Sequence, residues 1–567
     1  MAKVGRIVFR VTRWSLLQTL TVVLLLLGAL TTITRIVNVS STTGSLRNDT
    51  SQSVSSVPGP KSDGPLQMTI TPANSAVVQP KNYRVRRIKT PDGYDDTKSQ
   101  IMCNVTRDMG MISALRQTAN EFCLDGGWDR EKEAPVSRQK ATKVSLYRVD
   151  GAIKSATFQN LMLDLVNVAI HRPIKTMADD GGDHDPRFVF NMRLINCVCD
   201  ELADYFGNLP RLRKSKTEQI WFETFMGLPR NQYPRSTICS PTTKRSEWDF
   251  VTNPIKGPDA NETVVVFEDP VVLIARKDDH NPFFQVAAAL DSWIMLKALK
   301  WDITKTRVIY LDAGYPMSIS TLHKALLAPN HEIIDGTTLM GKRVHFRGNV
   351  LLVPLESRGP MMQHLNDEEP CYESKLIKTF RTESLQALNI TPEFERELGV
   401  TKIRPIMVTI ISRRPYGGRS MRRIWENEDE VLASMQVEYK DLNVKFRSVD
   451  YVSLTLHEQM KTTIESDMII SMHGAGLANV IWMRPMTTVV EIFPKQKARW
   501  GYRNMCQFVG CDWHQFRGGQ DVNARDGDPN EVNKVIPYDE WMAFFRPLLQ
   551  ETYDAFNEQQ TLREEAL

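Results

Sequence analysis

Residues 466–494, SDMIISMHGAGLANVIWMRPMTTVVEIFP, constrain the chain more than any other stretch. Residues 468–472 form an apolar run too short for a helix and bounded by polar residues, which predicts a buried parallel strand. His473-Gly474-Ala475-Gly476 comes next. Small residues at that point let the backbone turn tightly and approach a ligand. Leu477, Ala478, Ile481 and Trp482 sit at helical spacing, so a helix is predicted from near Gly476. A second apolar run, 488–493, stops at Pro494. The pattern is strand, glycine turn, helix, strand. A helix start aims free N–H groups and partial positive charge at such a turn, which suits a phosphate. In open α/β sheets ligands bind at the carboxyl ends of strands, where His473 falls. Glycines in such turns also serve packing alone, so by themselves they leave both readings open.

With 567 residues the chain has room for more than one ordinary domain and a tail. Its net charge is only +4, without the basic stripes of a nucleic-acid protein, so no nucleic-acid partner is expected. Residues 14–34 carry no charge and would span a bilayer if helical. Lys3, Arg6, Arg10 and Arg13 precede that run and only Arg35 closely follows it. The positive-inside rule then predicts a single-pass type II membrane protein: a cytosolic tail at 1–13, an anchor at 14–34 and the remaining mass in the lumen. A cleaved signal peptide is the rival; its apolar core would be shorter and followed by a small-x-small site. Asn38, Asn48, Asn104, Asn261 and Asn389 each begin an Asn-x-Ser/Thr sequon. All eight cysteines follow the apolar span, and in an oxidising lumen some of them should pair.

Residues 35–100 are rich in Ser, Thr, Pro, Asn and Gly and read as a flexible lumenal stem. Residues 101–392 read as a first α/β domain, with strands at 189–195, 264–267, 271–275, 308–311 and 344–354. Asn281 is a good N-cap, and Pro282 suits the first position of the helix that follows. Residues 393–525 read as a Rossmann-like second domain. Its strands fall at 403–411, 444–449, 468–472 and 488–493, joined by three crossovers. Residues 526–567 supply terminal helices and a polar tail. Arg413 leaves one strand of the second domain and His473 leaves a later one at the same edge, so the two should face one crevice. A guanidinium binds phosphate bidentately. Glu491 ends a neighbouring strand and is either an acceptor for ribose hydroxyls or a structural carboxylate. Asn479 could serve packing.

His-Gly-Ala-Gly-Leu, then Asn479, Met483-Arg484-Pro485 and Glu491-Ile-Phe-Pro494, resemble the signature of glycosyltransferase family 61. Arg413, Arg422-Arg423-Ile424 and Asn427-Glu428 extend the resemblance. Members of that family transfer xylose, arabinose or N-acetylglucosamine from UDP-sugars. The resemblance implies a GT-B fold, two Rossmann-like domains facing a cleft, and inverting transfer to a glycan or glycoprotein acceptor in the Golgi or endoplasmic reticulum. It places Arg413, Arg422, His473, Gly474, Ala475, Gly476 and Glu491 at the donor. No cofactor and no essential divalent metal are expected, because Arg and a helix dipole can hold the leaving diphosphate. The base should come from the first domain. Relatives carry an Asn-x-x-His-like helix start there; here Asn281 matches but Phe284 replaces the His. His280, Asp291 and Asp312 are therefore the candidates. A metal-dependent reading through Asp183 and Asp185 stands beside this one. A catalytically silent lumenal glycan-binding protein or chaperone on the same fold is the alternative function.

Overall fold

A computed structural model describes residues 103–122, 128–129, 134–135, 143–149, 153–165, 169–172, 185–189, 264–276, 281–314, 317–353, 359–363, 371–391, 404–415, 421–496, 499–524 and 531–566. These lie in one unit, Arg84–Leu567. The expected tail, anchor and stem, and Asp183, His280, Asn38, Asn48 and Asn261, are outside the described residues. Among the described residues no helix is long and apolar enough to cross a membrane.

Two sheets organise what is described. The first is built from β1 (Asn120–Phe122), β2 (Lys143–Arg148), β3 (Lys154–Asp164), β4 (Val264–Phe267), β5 (Val271–Ile274), β6 (Arg307–Tyr310), β7 (Ile334–Asp335) and β8 (Arg343–Val353). Its order is β1-β2-β3-β8-β5-β6-β7, with β4 also paired to β8. The sheet is mixed. β1 to β3 pair antiparallel, and β8 runs antiparallel to β3 but parallel to β4 and β5. Parallel neighbours need a crossover, and α1 (Pro282–Leu299) and α2 (Ser320–Leu327) supply two of them, between β5, β6 and β7. α1 begins as the sequence predicts: Asn281 Oδ1 accepts from the Phe283 N–H at 3.1 Å, with Pro282 opening the helix. Nearly every side chain of α1 is buried, so it reads as a core helix without a polar face.

The second sheet contains β9 (Ile406–Ile411), β10 (Val444–Val449), β11 (Met468–Met472), β12 (Thr488–Ile492) and β13 (Asp512–Phe516). Its order is β10-β9-β11-β12-β13, and every neighbouring pair is parallel. Counted from its own first strand, this is the doubly wound order 2-1-3-4-5. The fifth strand, DWHQF, was not expected from the sequence: it lies at the sheet edge, and its Asp, His and Gln leave it without an apolar run. α3 (Lys375–Ala387) docks on this half through Arg381, whose guanidinium donates to the Trp482 and Met483 carbonyls at 2.9–3.1 Å.

The helix predicted from near Gly476 is present as a 3-10 helix, Ala475–Trp482. Asn479 Nδ2 donates to the Gly476 carbonyl at 3.1 Å, one of the acceptors an α-helix would use. The same amide reaches Gln459 Oε1 at 3.1 Å, so Asn479 serves packing. Two disulfides join described cysteines, Cys103–Cys371 and Cys506–Cys511.

Candidate functional site

β9 and β11 are neighbours, with Ile411 opposite Ser471. Arg413 and His473 each lie two residues beyond that pair, so both leave the sheet at the same level. They stand where the strand order reverses, the place at which doubly wound sheets hold their ligands. Ser471 Oγ donates to the Ile411 carbonyl at 3.1 Å and ties the two strand ends together. The Arg413 guanidinium packs onto Gly474: a Cβ there would lie 1.7 Å from Arg413 Nη1. Gly474 is extended (φ 175°), so its lack of a side chain serves this close approach. Arg413 Nε donates to the Arg422 carbonyl at 3.1 Å. The Arg422 and Arg423 side chains turn to Glu531, at 3.9 and 3.0 Å. Ala475 opens the 3-10 coil, and Gly476 faces Ile411, whose Cγ2 would be 3.3 Å from an added Cβ.

Behind this edge, His473 Nδ1 is 2.5 Å from Glu491 Oε1. Trp513 Nε1 donates to Glu491 Oε2 at 2.8 Å. Glu491 is wholly buried, and its carboxylate is engaged by the His473 ring and the Trp513 indole. Burial pushes its carboxyl up to about 8, against the Trp513 hydrogen bond and the positive charges of Arg517 and Arg423. The His473 ring is stacked on Phe493 at 5.0 Å and tilted against Tyr502 at 5.5 Å. Tyr502 in turn meets Phe283 at 5.7 Å. An aromatic chain thus runs from His473 to the first turn of α1, three residues beyond His280.

The first-domain carboxylates are held differently. Asp312, wholly buried, accepts from Arg276 Nη2 at 2.6 Å, Arg276 Nε at 3.2 Å, and the Arg276 and Gly314 backbone N–H groups at 2.8 Å each. Burial pushes its carboxyl up while those four donors oppose the shift. The Arg276 guanidinium also stacks on Tyr310, at 3.9 Å. Asp291 is buried mid-way along α1, its carboxylate against Gly359, where a Cβ would be 1.6 Å from Oδ1. Trp513, Tyr502, Arg276 and Arg381 were not singled out in the sequence; only a placed fifth strand or a three-dimensional neighbour marks them.

Asp185 opens a short strand, Asp185–Val189, and its side chain is not described. Among the described residues no group of three His, Cys, Asp or Glu could hold a metal ion. Asn104 and Asn389 are both exposed, the latter in left-handed conformation just past α3.

Sequence comparison places this edge in a known context. Residues 359–490 match the sequence model of Glycosyltransferase 61. The match contains Arg413 and His473 to Gly476, the residues that carry the resemblance. The chain is also similar to proteins named EGF domain-specific O-linked N-acetylglucosamine transferase. It is 27% identical to that of Gallus gallus over 279 residues, 49% of this chain and 47% of the relative. It is 29% identical to that of Xenopus laevis over 219 residues, 38% of each chain. With the Drosophila melanogaster protein it is 30% identical over 154 residues, 27% of this chain and 26% of the relative. The similarity to these three relatives spans about half of their length or less.

Proposed function

We propose that this chain is a glycosyltransferase that takes its sugar from a nucleoside diphosphate donor held at the Arg413–Gly474 edge. The observation that carries the reading is the Arg413 guanidinium packed on Gly474 at the reversal of strand order, inside the stretch that matches Glycosyltransferase 61. A diphosphate there would meet a permanent positive charge and the backbone N–H groups that open the 3-10 coil. As the sugar–phosphate bond breaks, negative charge builds on the leaving diphosphate. An interaction that strengthens with that charge lowers the barrier and does not merely tighten binding. No divalent metal is required by this arrangement.

The finer reading is GT-B architecture, inverting transfer and UDP-N-acetylglucosamine as donor, supported by the named relatives; UDP-xylose and UDP-arabinose are the competitors. The acceptor is a glycoprotein or glycan in the Golgi or endoplasmic reticulum, reached by a type II protein anchored through residues 14–34. The acceptor base comes from the first-domain side, near the start of α1, where Phe283 meets Tyr502. His280 is the nearest of the three candidates along the chain. Calorimetry with the three UDP-sugars, followed by transfer assays with and without EDTA, tests the reading. Binding of UDP-N-acetylglucosamine with EDTA-resistant release of UDP is expected. Binding without any turnover would favour a silent glycan-binding protein, and binding of no nucleotide sugar would remove the reading.

A further inference from the structure

We propose that Arg423 and Glu531 are positioning residues: a left-handed turn at Arg423, held by Glu531, presents the backbone carbonyl of Arg422 that fixes the Arg413 guanidinium. The inference rests on the donor reading above for its effect on binding, but its geometry is independent of it. Arg413 Nε donates to the Arg422 carbonyl at 3.1 Å. That carbonyl and the Arg423 N–H belong to one planar peptide unit, so rotation about the Arg423 N–Cα bond sets where the carbonyl points relative to the chain that follows. Arg423 has φ 59°, in the left-handed region that an arginine rarely adopts. A residue persists there when its surroundings over-determine it.

Those surroundings are a two-stranded ribbon, β14 (Gln520–Val522) and β15 (Asn533–Val535), and the residues just before β15. Arg423 Nη1 donates to Glu531 Oε1 at 3.0 Å, and Arg422 Nη1 lies 3.9 Å from Glu531 Oε2. Ile424 is gripped through both backbone groups: its N–H donates to Asn533 Oδ1 at 3.0 Å, and its carbonyl accepts from the Lys534 N–H at 2.8 Å. The Glu426 N–H donates to the Lys534 carbonyl at 2.8 Å, and the Asn427 amide pairs with the N–H and the carbonyl of Ile536, at 2.9 Å each. Lys534 is itself wholly buried, its ammonium 2.6 Å from Asp521 Oδ1. Residues 424–427 are therefore fixed to the ribbon on one side of the turn, while Arg413 leans on Arg422 at the other. With Ile424 fixed, the left-handed turn at Arg423 decides whether the Arg422 carbonyl faces Arg413. A cation held in one orientation binds a diphosphate more tightly than one that must be ordered on binding.

Three variants separate the turn from the charge. Asparagine tolerates the left-handed region and valine does not, and neither forms an ion pair with Glu531. Arg423→Asn should therefore keep the turn without the ion pair, Arg423→Val should lose it, and Glu531→Ala should weaken it by releasing the arginine. The experiment uses the full chain, labelled with 15Nε-arginine, with Arg413→Lys to mark the resonance. The Arg413 Nε–H should exchange slowly with water in the wild type and in Arg423→Asn, and about tenfold faster in Arg423→Val and Glu531→Ala. In parallel, UDP-N-acetylglucosamine affinity should fall about tenfold in Arg423→Val and Glu531→Ala. In an Arg413→Ala background the same two changes should cost no more than about twofold, because the carbonyl then has no guanidinium to hold. Melting curves establish which variants are folded, and Glu531→Ala carries the comparison if Arg423→Val is not. Unchanged Arg413 exchange in folded Arg423→Val or Glu531→Ala overturns the proposal. So does equal acceleration in Arg423→Asn and Arg423→Val, which would assign the effect to the lost charge and not to the turn. Equal losses of affinity with and without Arg413 would make Arg423 and Glu531 fold residues alone and overturn it as well. The exchange pattern present without any nucleotide-sugar binding would support the positioning of Arg413 and remove only the donor reading.

Discussion

Arg413 and Gly474, sixty-one residues apart in sequence, are in direct contact, the guanidinium occupying the space a Cβ of residue 474 would need. Gly474→Ala would put that Cβ 1.7 Å from Nη1. The backbone at φ 175° tolerates alanine, and the arginine is long enough to swing aside. The fold should survive while the clamp is displaced. Losing a charge-assisted contact to a developing anion costs about 2–4 kcal/mol, or ~30- to ~1000-fold in kcat. Arg413→Ala should show the same loss, and the double variant little more, because both remove one contact. Arg413→Lys should rescue only in part, since an ammonium cannot make a bidentate contact. Steady-state kinetics with melting curves check this; near-normal turnover in either single variant would sink it.

Asp312 and Arg276 form a buried ion pair, and its expected signature is loss of stability. Removing one partner leaves an uncompensated buried charge, at about 3–5 kcal/mol. Arg276→Met should therefore lower the denaturation midpoint sharply. Asp312→Asn should do so as well, because the amide cannot accept all four donors. The paired change to two apolar residues should be milder than either single change. If Asp312→Asn instead keeps wild-type stability and abolishes transfer, Asp312 is the base and not a fold residue.

The readable part of this chain was the second sheet. Three of its strands, IMVTII, MIISM and TVVEI, are short and largely apolar runs between polar residues, a pattern that burial on both faces produces. Once they are parallel neighbours, Arg413 and His473 must share an edge. Glu491 was legible as a strand-end carboxylate, but its two partners were not. One is a histidine eighteen residues earlier, and the other a tryptophan on an edge strand whose polar residues hid it. The helix expected after Gly476 is present, and what periodicity did not register is that it is of the 3-10 type. In the first domain, Asp312 was legible as a candidate base, but its partner Arg276 was not, because it follows a different strand and nothing in the sequence links the two.

His323 makes stability depend on acid. It is fully buried between Tyr310 Oη, 2.7 Å from Nδ1, and the Gln285 carbonyl, 2.8 Å from Nε2. Burial holds its proton affinity down to about 4. The unfolded chain therefore binds a proton near pH 6.5 that the folded chain refuses until about pH 4. Stability from this group is fully present above pH 6.5 and is lost as pH falls toward 4, by at most about 1.4 kcal/mol per pH unit. Denaturant midpoints measured across that window should fall with acid, and His323→Leu should flatten the slope on a lower plateau. An equal slope in the variant would assign the acid sensitivity to other groups.

Arg381 couples α3 to the coil that begins after His473. Its guanidinium reaches the Trp482 carbonyl through Nε and Nη2, and the Met483 carbonyl through Nε. Those two carbonyls end the 3-10 coil, where helix acceptors have no partner of their own. Phe380, the preceding residue, stacks on the Trp482 ring at 5.8 Å, so apolar packing and hydrogen bonding converge on one point. Arg381→Leu keeps the packing volume but orphans the carbonyls, at about 1–3 kcal/mol each. Arg381→Lys should recover part of this, because one ammonium can reach one carbonyl but not reproduce the fork. The far end of the same coil holds Gly474, so loosening it should also weaken the Arg413 contact and reduce nucleotide-sugar affinity. Chemical denaturation and calorimetry on both variants separate the two effects. Full stability in Arg381→Leu would mean that the coil is held by packing alone. A large stability loss with unchanged donor affinity would show that the coil's two ends are not mechanically linked.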